Sequence, residues 1–300
     1  MTAARRSRWL SFVLVAAAYL VAGAAALIVA RTAAGLRLWV VVALADAAAT
    51  LAVFAFSRAL NNSSVYDPYW SVAPMVIAPA LALSPLSAAA PVLRRALVVA
   101  LVLAWGARLT YNWARGWEGL HQEDWRYVDL RRTTGRAYWL VSLVGLHLMP
   151  TLSVYLGCLA LLPALAAGGR PLGLLDAAAA LVAASALAIE TVADEQLRSF
   201  RRARPAAGET LDTGLWALCR HPNYLGEIGF WWGLFLFALA AAPGAWWTVI
   251  GPLWITALFV FVSVPLMDRR ALLRRPAYAA HMARLPALLP RPLGRLRRET

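Results

Sequence analysis

The sequence predicts an all-α fold, a polytopic transmembrane bundle of about seven or eight helices. The 300 residues are 61% hydrophobic and only 15% charged, against roughly 25% charged residues in soluble domains. Apolar runs of about 20 residues recur along the whole chain, and a helix of that length crosses a hydrocarbon core of roughly 30 Å. A membrane β-barrel would instead need alternating segments of roughly 10 residues, which these runs are not.

Eight apolar segments are the predicted spans. The third is the weakest, because Pro74, Pro79 and Pro85 interrupt it and would kink or end a helix. The alanine-rich stretch 176–188 predicts close packing against a neighbouring helix. The predicted spans are residues 9–30, 38–56, 71–90, 92–113, 137–162, 172–193, 223–242 and 246–266.

The placement of arginine predicts the orientation of these spans. All 29 basic residues are Arg, and the net charge is +14. With the N-terminus in the cytoplasm, 23 Arg lie on the cytoplasmic side and five on the other. Positive charge accumulates on the cytoplasmic side, so we predict that both termini are cytoplasmic. The arginines lie between hydrophobic spans, which disfavours nucleic-acid binding.

The N-terminus and the cysteines suggest neither processing nor a disulfide framework. The apolar run after Arg8 is longer than a signal-peptide core, so we interpret it as the first retained span. Cys158 and Cys219 form no C-x-x-C pair, and we expect them to be ordinary small apolar residues.

Residues 111–131 form the densest polar and aromatic segment. Trp and Tyr are typical of the membrane interface, so an aromatic belt with Arg anchors is one interpretation. The segment also carries four carboxylates between its arginines, which favours an ordered ion-pair network at the membrane face. The carboxylates are Glu118, Glu123, Asp124 and Asp129, and their expected partners are Arg115, Arg126 and Arg131.

A second polar segment, residues 61–70, precedes the third predicted span. Its Asn, Ser, Asp and Pro residues are turn formers, so a plain turn is one interpretation. Tyr66, Asp67 and Tyr69 then enter a span, where an ionisable group is a functional hypothesis by default. A Tyr beside a carboxylate can serve as a general acid. The sequence leaves both interpretations open.

Charged residues form a stripe at the end of the sixth predicted span. Glu190, Asp194, Arg198 and Arg201 follow one another at helical spacing and therefore share one face. Such residues often only stabilise a helix surface. This stripe, however, starts inside an apolar run, where unpaired carboxylates are costly.

The most specific cluster is the sequence Arg-His-Pro-Asn-Tyr-Leu-Gly-Glu at residues 220–227. Pro222 suits the first turn of a helix, so a helix cap is the simplest interpretation. The concentration of polar groups favours an anion-binding pocket, because Arg binds phosphate bidentately and a helix N-terminus adds positive charge. No second His or Cys stands at ligand spacing, so we expect no metal. The candidate pocket residues are Arg220, His221, Asn223, Tyr224 and Glu227.

Four elements together resemble the uncharacterised bacterial branch of the steroid 5-alpha-reductase superfamily. They are residues 66–70 (YDPYW), 123–127 (EDWRY), 189–196 (IETVADEQ) and 220–227 (RHPNYLGE). Their joint occurrence in this order is specific. The Arg-His-Pro-x-Tyr element alone is shared with isoprenylcysteine carboxyl methyltransferases and phospholipid methyltransferases.

The resemblance implies one integral-membrane domain over residues 1–300, with variable spans in 1–60 and a catalytic core in 61–300. It implies an enzyme with a cytoplasmic pocket for NADPH that reduces a carbon–carbon double bond conjugated to a ketone, in a steroid-like or isoprenoid molecule. The residues it implies at the nucleotide are Glu190, Asp194, Arg198, Arg201, Arg220, His221, Asn223, Tyr224, Glu227 and Asp268.

Two positions depart from the family pattern. Glu190 stands where the reductases have Asn. Asp268 stands where this branch often carries Glu, in a C-terminal segment that resembles the part packed over the nucleotide in relatives.

The catalytic residues are assigned by chemistry and location. Negative charge that develops on the substrate oxygen needs a hydrogen-bond donor. The Tyr that serves the steroid reductases falls at Trp105 here, which is no such proton donor. We therefore predict that Tyr66, Asp67 and Tyr111 take this role.

Two other functions remain open. One is an S-adenosylmethionine-dependent methyltransferase acting on a lipid or prenyl group, although the 194–201 stripe with Asn223 belongs to the reductase pattern. The other is a lipid-binding or transport protein, which would place polar groups at the bilayer midplane rather than at one face. We expect a lipid-soluble substrate, membrane lipids and no nucleic acid as partners, and a location in the bacterial cytoplasmic (inner) membrane.

Overall fold

The computed structural model describes residues 7–290 except 168, 205 and 207. The chain is all-helical, with 80% of it in helix and no strand among the described residues. Six of the described helices are long and apolar enough to cross a membrane. This confirms an all-α fold with the helices of a polytopic membrane protein. The helices fall into two compact units, Met1–Gly169 (unit 1) and Arg170–Thr300 (unit 2).

Unit 1 is built from helix pairs. Helix α1 packs against α2, and α3 packs against α4. Ser7 caps α1, because its Oγ accepts a hydrogen bond from the Leu10 N–H at 3.3 Å and satisfies a donor that the helix leaves open. The helices are α1 (Arg8–Thr32), α2 (Leu38–Ala59), α3 (Tyr69–Ala82), α4 (Val92–Gly116) and α5 (Trp125–Cys158).

The predicted third and fourth spans are helices, but neither is among the six described helices that are long and apolar enough to cross a membrane. Helix α3 has 14 residues, about 21 Å at the usual rise. It contains Pro74 and Pro79 in its interior and ends at Ala82, before Pro85. Helix α4 has 25 residues but carries four arginines. Six spans are supported by length and composition, and the other two of the predicted eight remain a prediction.

Two helices continue further into polar sequence than predicted. Helix α5 begins at Trp125 rather than near 137, after Asp124, whose carboxylate accepts the Arg126 N–H at 2.9 Å. Helix α6 of unit 2 ends at Arg202 rather than near 193. Apolar runs locate only the part of a helix that lies in hydrocarbon, whereas backbone hydrogen bonding continues beyond it.

The described part of unit 2 contains three long helices, a short helix and a 3-10 turn. Helix α7 begins with Pro222, as predicted for a first helical position. Asp176 accepts the Gly173 N–H at 2.9 Å at the start of α6. The elements are α6 (Leu174–Arg202), the 3-10 turn Gly214–Ala217, α7 (Pro222–Ala241), α8 (Pro243–Arg274) and α9 (Tyr278–Arg284).

Helices α6 and α7 make the most extensive contact in unit 2. A Cβ added at Gly226 would lie 2.7 Å from the Ala186 carbonyl oxygen, and one at Gly233 would lie 2.7 Å from the Ala183 Cβ. The helices approach this closely because glycine faces alanine, as the alanine-rich stretch predicted. The buried face of α6 recurs every three or four residues: Asp176, Ala179, Ala183, Ala186, Glu190 and Ala193.

Gly233→Ala should destabilise unit 2. The added methyl group would collide with the Ala183 Cβ and with its backbone nitrogen at 2.8 Å, and such overpacking costs about 1–3 kcal/mol. Thermal unfolding of the full chain in detergent measures the effect. Gly145→Ala is the control, because nothing lies within 4 Å of the added Cβ there. Equal midpoints for both variants would contradict this account of the contact.

Candidate functional site

A polar cavity of about 340 Å³ lies in unit 2. The C-terminal turns of α6, the start of α7, the end of α8 and helix α9 form its walls. Two aromatic side chains from α6 and the 3-10 turn, Phe200 and Trp216, add flat apolar surface. Its polar lining residues are Asp194, Arg201, Thr210, Arg220, His221, Asn223, Tyr224, Arg275, Tyr278 and His281.

The 3-10 turn is fixed to α6 by side-chain hydrogen bonds. Gln196 accepts the Leu215 N–H at 3.0 Å, and the Trp216 indole N–H donates to the Ala193 carbonyl at 3.0 Å. Gly214 has a φ of +61°, and an added Cβ would lie 2.3 Å from the Gln196 side chain. Only glycine suits that backbone and that space.

The first turn of α7 presents its polar side chains to the cavity. The Asn223 amide donates to the Asp194 carboxylate at 3.2 Å and so links α7 to α6. The His221 ring stacks on Tyr224 with centroids 5.2 Å apart, and Tyr224 meets Phe259 edge-on. These rings are therefore held in place by their neighbours.

Asp268 of α8 gathers three donors behind the cavity wall. Its Oδ2 accepts Arg220 Nη2 at 2.8 Å, and its Oδ1 bonds to His221 Nε2 at 2.9 Å and accepts the Tyr278 hydroxyl at 3.2 Å. The Arg220 guanidinium also donates to the carbonyl groups of Met282 and Leu285. Arg220 is thus held by protein groups, although the sequence predicted that it would bind phosphate.

The cavity carries more positive than negative charge. Among its described lining residues, three are arginines, Arg201, Arg220 and Arg275, and one is a carboxylate, Asp194. Burial and the neighbouring Asp268 raise the pKa of Tyr278, which therefore stays protonated. Burial lowers the pKa of His281, so this ring tends to stay neutral. Asp268 neutralises Arg220, so Arg201 and Arg275 are the remaining arginines of the described lining, and Arg275 also donates to the Glu209 carbonyl at 2.9 Å.

The structure brings together six of the ten residues predicted at the nucleotide: Asp194, Arg201, Arg220, His221, Asn223 and Tyr224. Asp268 lies directly behind them. The other three do not line the cavity. Glu190 and Glu227 are buried on α6 and α7, and Arg198 belongs to the charged stripe of α6.

The predicted catalytic residues belong to unit 1. Tyr66 is buried, and its hydroxyl lies 2.6 Å from Thr151 Oγ1. Burial raises its pKa, so the phenol is protonated. Asp67 accepts the Tyr127 hydroxyl at 2.6 Å. Tyr111 is 62% exposed beneath the Arg115 guanidinium, and no described hydrogen bond or ring contact joins it to Tyr66 or Asp67.

Sequence reasoning missed the hydrogen-bond partner of Tyr69, which is Asp46. Tyr69 donates to Asp46 Oδ1 at 2.6 Å, and its ring stacks on Tyr66 with centroids 4.9 Å apart. Asp46 is 5% exposed in the middle of α2. It was detectable, because it is an ionisable residue inside the predicted span 38–56.

The segment around residues 117–127 forms part of the predicted ion-pair network. Arg126 pairs with Asp124 at 2.7 Å and Arg131 with Glu123 at 3.4 Å. Glu123 also accepts the Ser63 N–H at 2.7 Å, and Asn62 donates to the Leu120 and Gln122 carbonyls. These bonds fix the turn that carries Tyr66 and Asp67.

These features define the class of protein: the described residues form helices and no strand, six of those helices are long enough to cross a membrane, and unit 2 contains a polar cavity with more positive than negative charge. The chain belongs to the family described as protein of unknown function (DUF1295), whose model matches residues 53–285. An uncharacterised protein of Schizosaccharomyces pombe is 28% identical over 222 residues, 66% of this chain. The match spans 64% of that protein, less than two thirds of its length. No solved structure matches the chain significantly.

Asp67→Asn should remove a pH dependence of stability. Burial raises the pKa of Asp67 from 3.8 to about 7, against the opposing effect of the Tyr127 hydrogen bond. Between these values the folded state holds a proton that the unfolded state has lost, so stability falls as pH rises from about 4 to about 7. The variant should therefore gain thermal stability relative to the native chain at about pH 8 but not at about pH 4.

Thermal midpoints of both chains across this range measure the effect. Asp129→Asn is the control, because Asp129 is exposed. This variant should keep the pH dependence of the thermal midpoint that the native chain shows. Parallel curves for the native chain and Asp67→Asn would contradict the prediction.

Proposed function

We propose that this chain is an NADPH-dependent membrane reductase of the bacterial branch of the steroid 5-alpha-reductase superfamily. Its substrate class is a lipid-soluble enone, steroid-like or isoprenoid, whose conjugated carbon–carbon double bond is reduced. The DUF1295 family is grouped with steroid 5-alpha-reductase-like proteins, which supports the assignment. The observation that carries it is the single cavity lined by six of the ten residues expected at the nucleotide.

The residues of the cavity fit a polyanionic dinucleotide. Arg201 and Arg275 supply guanidinium groups for phosphate oxygens. The Asp194–Asn223 pair supplies an acceptor and a donor for hydroxyl groups, and Trp216 offers a flat surface for a ring. Bound NADPH would supply a hydride, while the chain's part is to bind, orient and exclude water.

The proton-donating groups belong, in this proposal, to the buried hydroxyl cluster of unit 1. A donor in an apolar setting stabilises charge on a substrate oxygen better than one in water. Tyr66 is buried and protonated, and the Tyr69–Asp46 pair supplies a second phenol held by a carboxyl group. Asp67 holds Tyr127 beside them. Tyr69 therefore replaces the exposed Tyr111 in the catalytic assignment.

The topology that we propose has both termini in the cytoplasm. Six or eight crossings both leave the two termini on one side, and the excess of arginine places that side in the cytoplasm. Helices α3 and α4 would supply the two further crossings. The unit 2 cavity then faces the cytoplasm from the bacterial inner membrane, where NADPH is available, and the substrate enters from lipid.

Arg201→Ala should weaken NADPH binding by about tenfold or more, because a charge-assisted hydrogen bond contributes roughly 1.5–3 kcal/mol. Titration of the full chain in lipid nanodiscs, followed by nucleotide fluorescence, measures the Kd. Arg202→Ala is the matched control, since the neighbouring Arg202 does not line the cavity. Binding of S-adenosylmethionine without binding of NADPH would instead identify the methyltransferase alternative and end the reductase proposal.

Tyr66→Phe and Tyr69→Phe should each lower kcat by about 100-fold with little change in NADPH Kd, since the loss of one oxyanion donor costs roughly that much. Tyr111→Phe should leave turnover unchanged. NADPH consumption with a panel of steroid and isoprenoid enones provides the assay. Full turnover in both Tyr66→Phe and Tyr69→Phe would contradict the assignment of the donors.

A further inference from the structure

One wall of the unit 2 cavity is a short C-terminal segment, residues 275–287, which we term the strap. It follows α8 directly and contains α9. Three of its side chains, Arg275, Tyr278 and His281, line the cavity. The shape and the charge of the cavity therefore depend on how the strap is held.

The strap is bound to the residues that precede α7 through consecutive backbone groups. The Arg220 N–H donates to the Pro286 carbonyl at 3.0 Å, and the His221 N–H donates to the Ala287 carbonyl at 3.0 Å. Both amides stand just before the first turn of α7, outside its hydrogen-bond ladder. Their protection from solvent reports directly on whether the strap is bound.

The Arg220 side chain fastens the same segment from within. It donates to the Met282 and Leu285 carbonyls, and its exposure is only 11%. A guanidinium this buried needs a compensating charge. Asp268, itself 7% exposed, supplies it through two hydrogen bonds at 2.8 and 3.4 Å.

Asp268 also contacts the strap and the residue before α7 directly. Its Oδ1 accepts the Tyr278 hydroxyl at 3.2 Å and bonds to His221 Nε2 at 2.9 Å. One carboxylate thus connects α8, the residue before α7 and the strap.

We infer that Asp268 is a positioning residue that fastens the strap through Arg220 and so controls how long the cavity retains its ligand. Asp268 does not line the cavity. Its effect on the ligand passes through the placement of Arg275, Tyr278 and His281. Only the identity of the ligand, NADPH, rests on the proposed function.

A second ion pair on the strap provides a matched comparison. Arg284 pairs with Asp212 at 3.2 Å, but both side chains are about half exposed. Exposed pairs contribute little, because water and salt screen them. Loss of Asp212 should therefore leave the strap in place, whereas loss of Asp268 leaves a buried arginine without its counterion.

The first experiment needs no ligand. Amide hydrogen exchange of the full chain in nanodiscs, read in the peptide that contains Arg220 and His221, should become at least about tenfold faster in Asp268→Asn. Asp268→Glu should restore protection, because it returns the charge, and Asp212→Asn should match the native chain. Exchange within α6 and α7 serves as the folding control and should not change.

If Asp268→Asn does not fold, Arg220→Lys tests the same interaction. Lysine keeps the positive charge but lacks the several N–H donors by which the Arg220 guanidinium binds Asp268 and the strap carbonyls. Arg220→Lys should also accelerate exchange at these amides. Unchanged exchange in a folded Asp268→Asn, or in Arg220→Lys, would overturn the inference that this pair fastens the strap.

The second experiment measures dissociation of NADPH. Faster release in Asp268→Asn, normal release in Asp212→Asn and recovery in Asp268→Glu are the expected pattern. Accelerated exchange with unchanged release would overturn the role in ligand retention. If the native chain does not bind NADPH, the proposed function fails, whereas the exchange experiment still decides whether Asp268 fastens the strap.

Discussion

The close contact between α6 and α7 is the constraint on which the unit 2 site depends. Glycines at 226 and 233 leave no room for a side chain against Ala183 and Ala186, so the two helix axes approach closely and hold a fixed register. That register sets Asn223, in the first turn of α7, against Asp194 near the end of α6. A wider spacing would separate these groups and remove a wall of the cavity.

A second constraint is the cost of burying polar groups in an apolar molecule. Each buried hydroxyl, carboxyl or guanidinium must find a partner, because leaving it unpaired is costly. In unit 2 this requirement gathers Arg220, His221 and Tyr278 around Asp268. In unit 1 it joins Tyr69 to Asp46 and Tyr66 to Thr151. The side chains that are candidates for catalysis therefore also form the buried hydrogen bonds that hold the structure together.

Much of the fold and part of the site followed from the sequence. Runs of apolar residues located six helices, and helical spacing placed Asp194 and Arg201 on one face of α6. The same reasoning predicted Arg220 as a phosphate ligand but did not show that Asp268, 48 residues away, binds its guanidinium, because a sequence does not reveal contacts between distant residues. Sequence reasoning also predicted Tyr111 rather than Tyr69 as a catalytic residue. The exposure of a side chain and its contacts with distant residues depend on packing, which the sequence does not show.

The sequence by itself determined what each segment can tolerate: which parts can lie in hydrocarbon, where charge must face water, and which short clusters can bind an anion. These are local properties of residue type and spacing. Only the tertiary structure decided which polar groups satisfy one another and which remain for a ligand. That choice depends on distances between residues far apart in the chain. Arg220 is its clearest case, because it lines the cavity with Arg201 and Arg275 but is itself held by Asp268 and the strap.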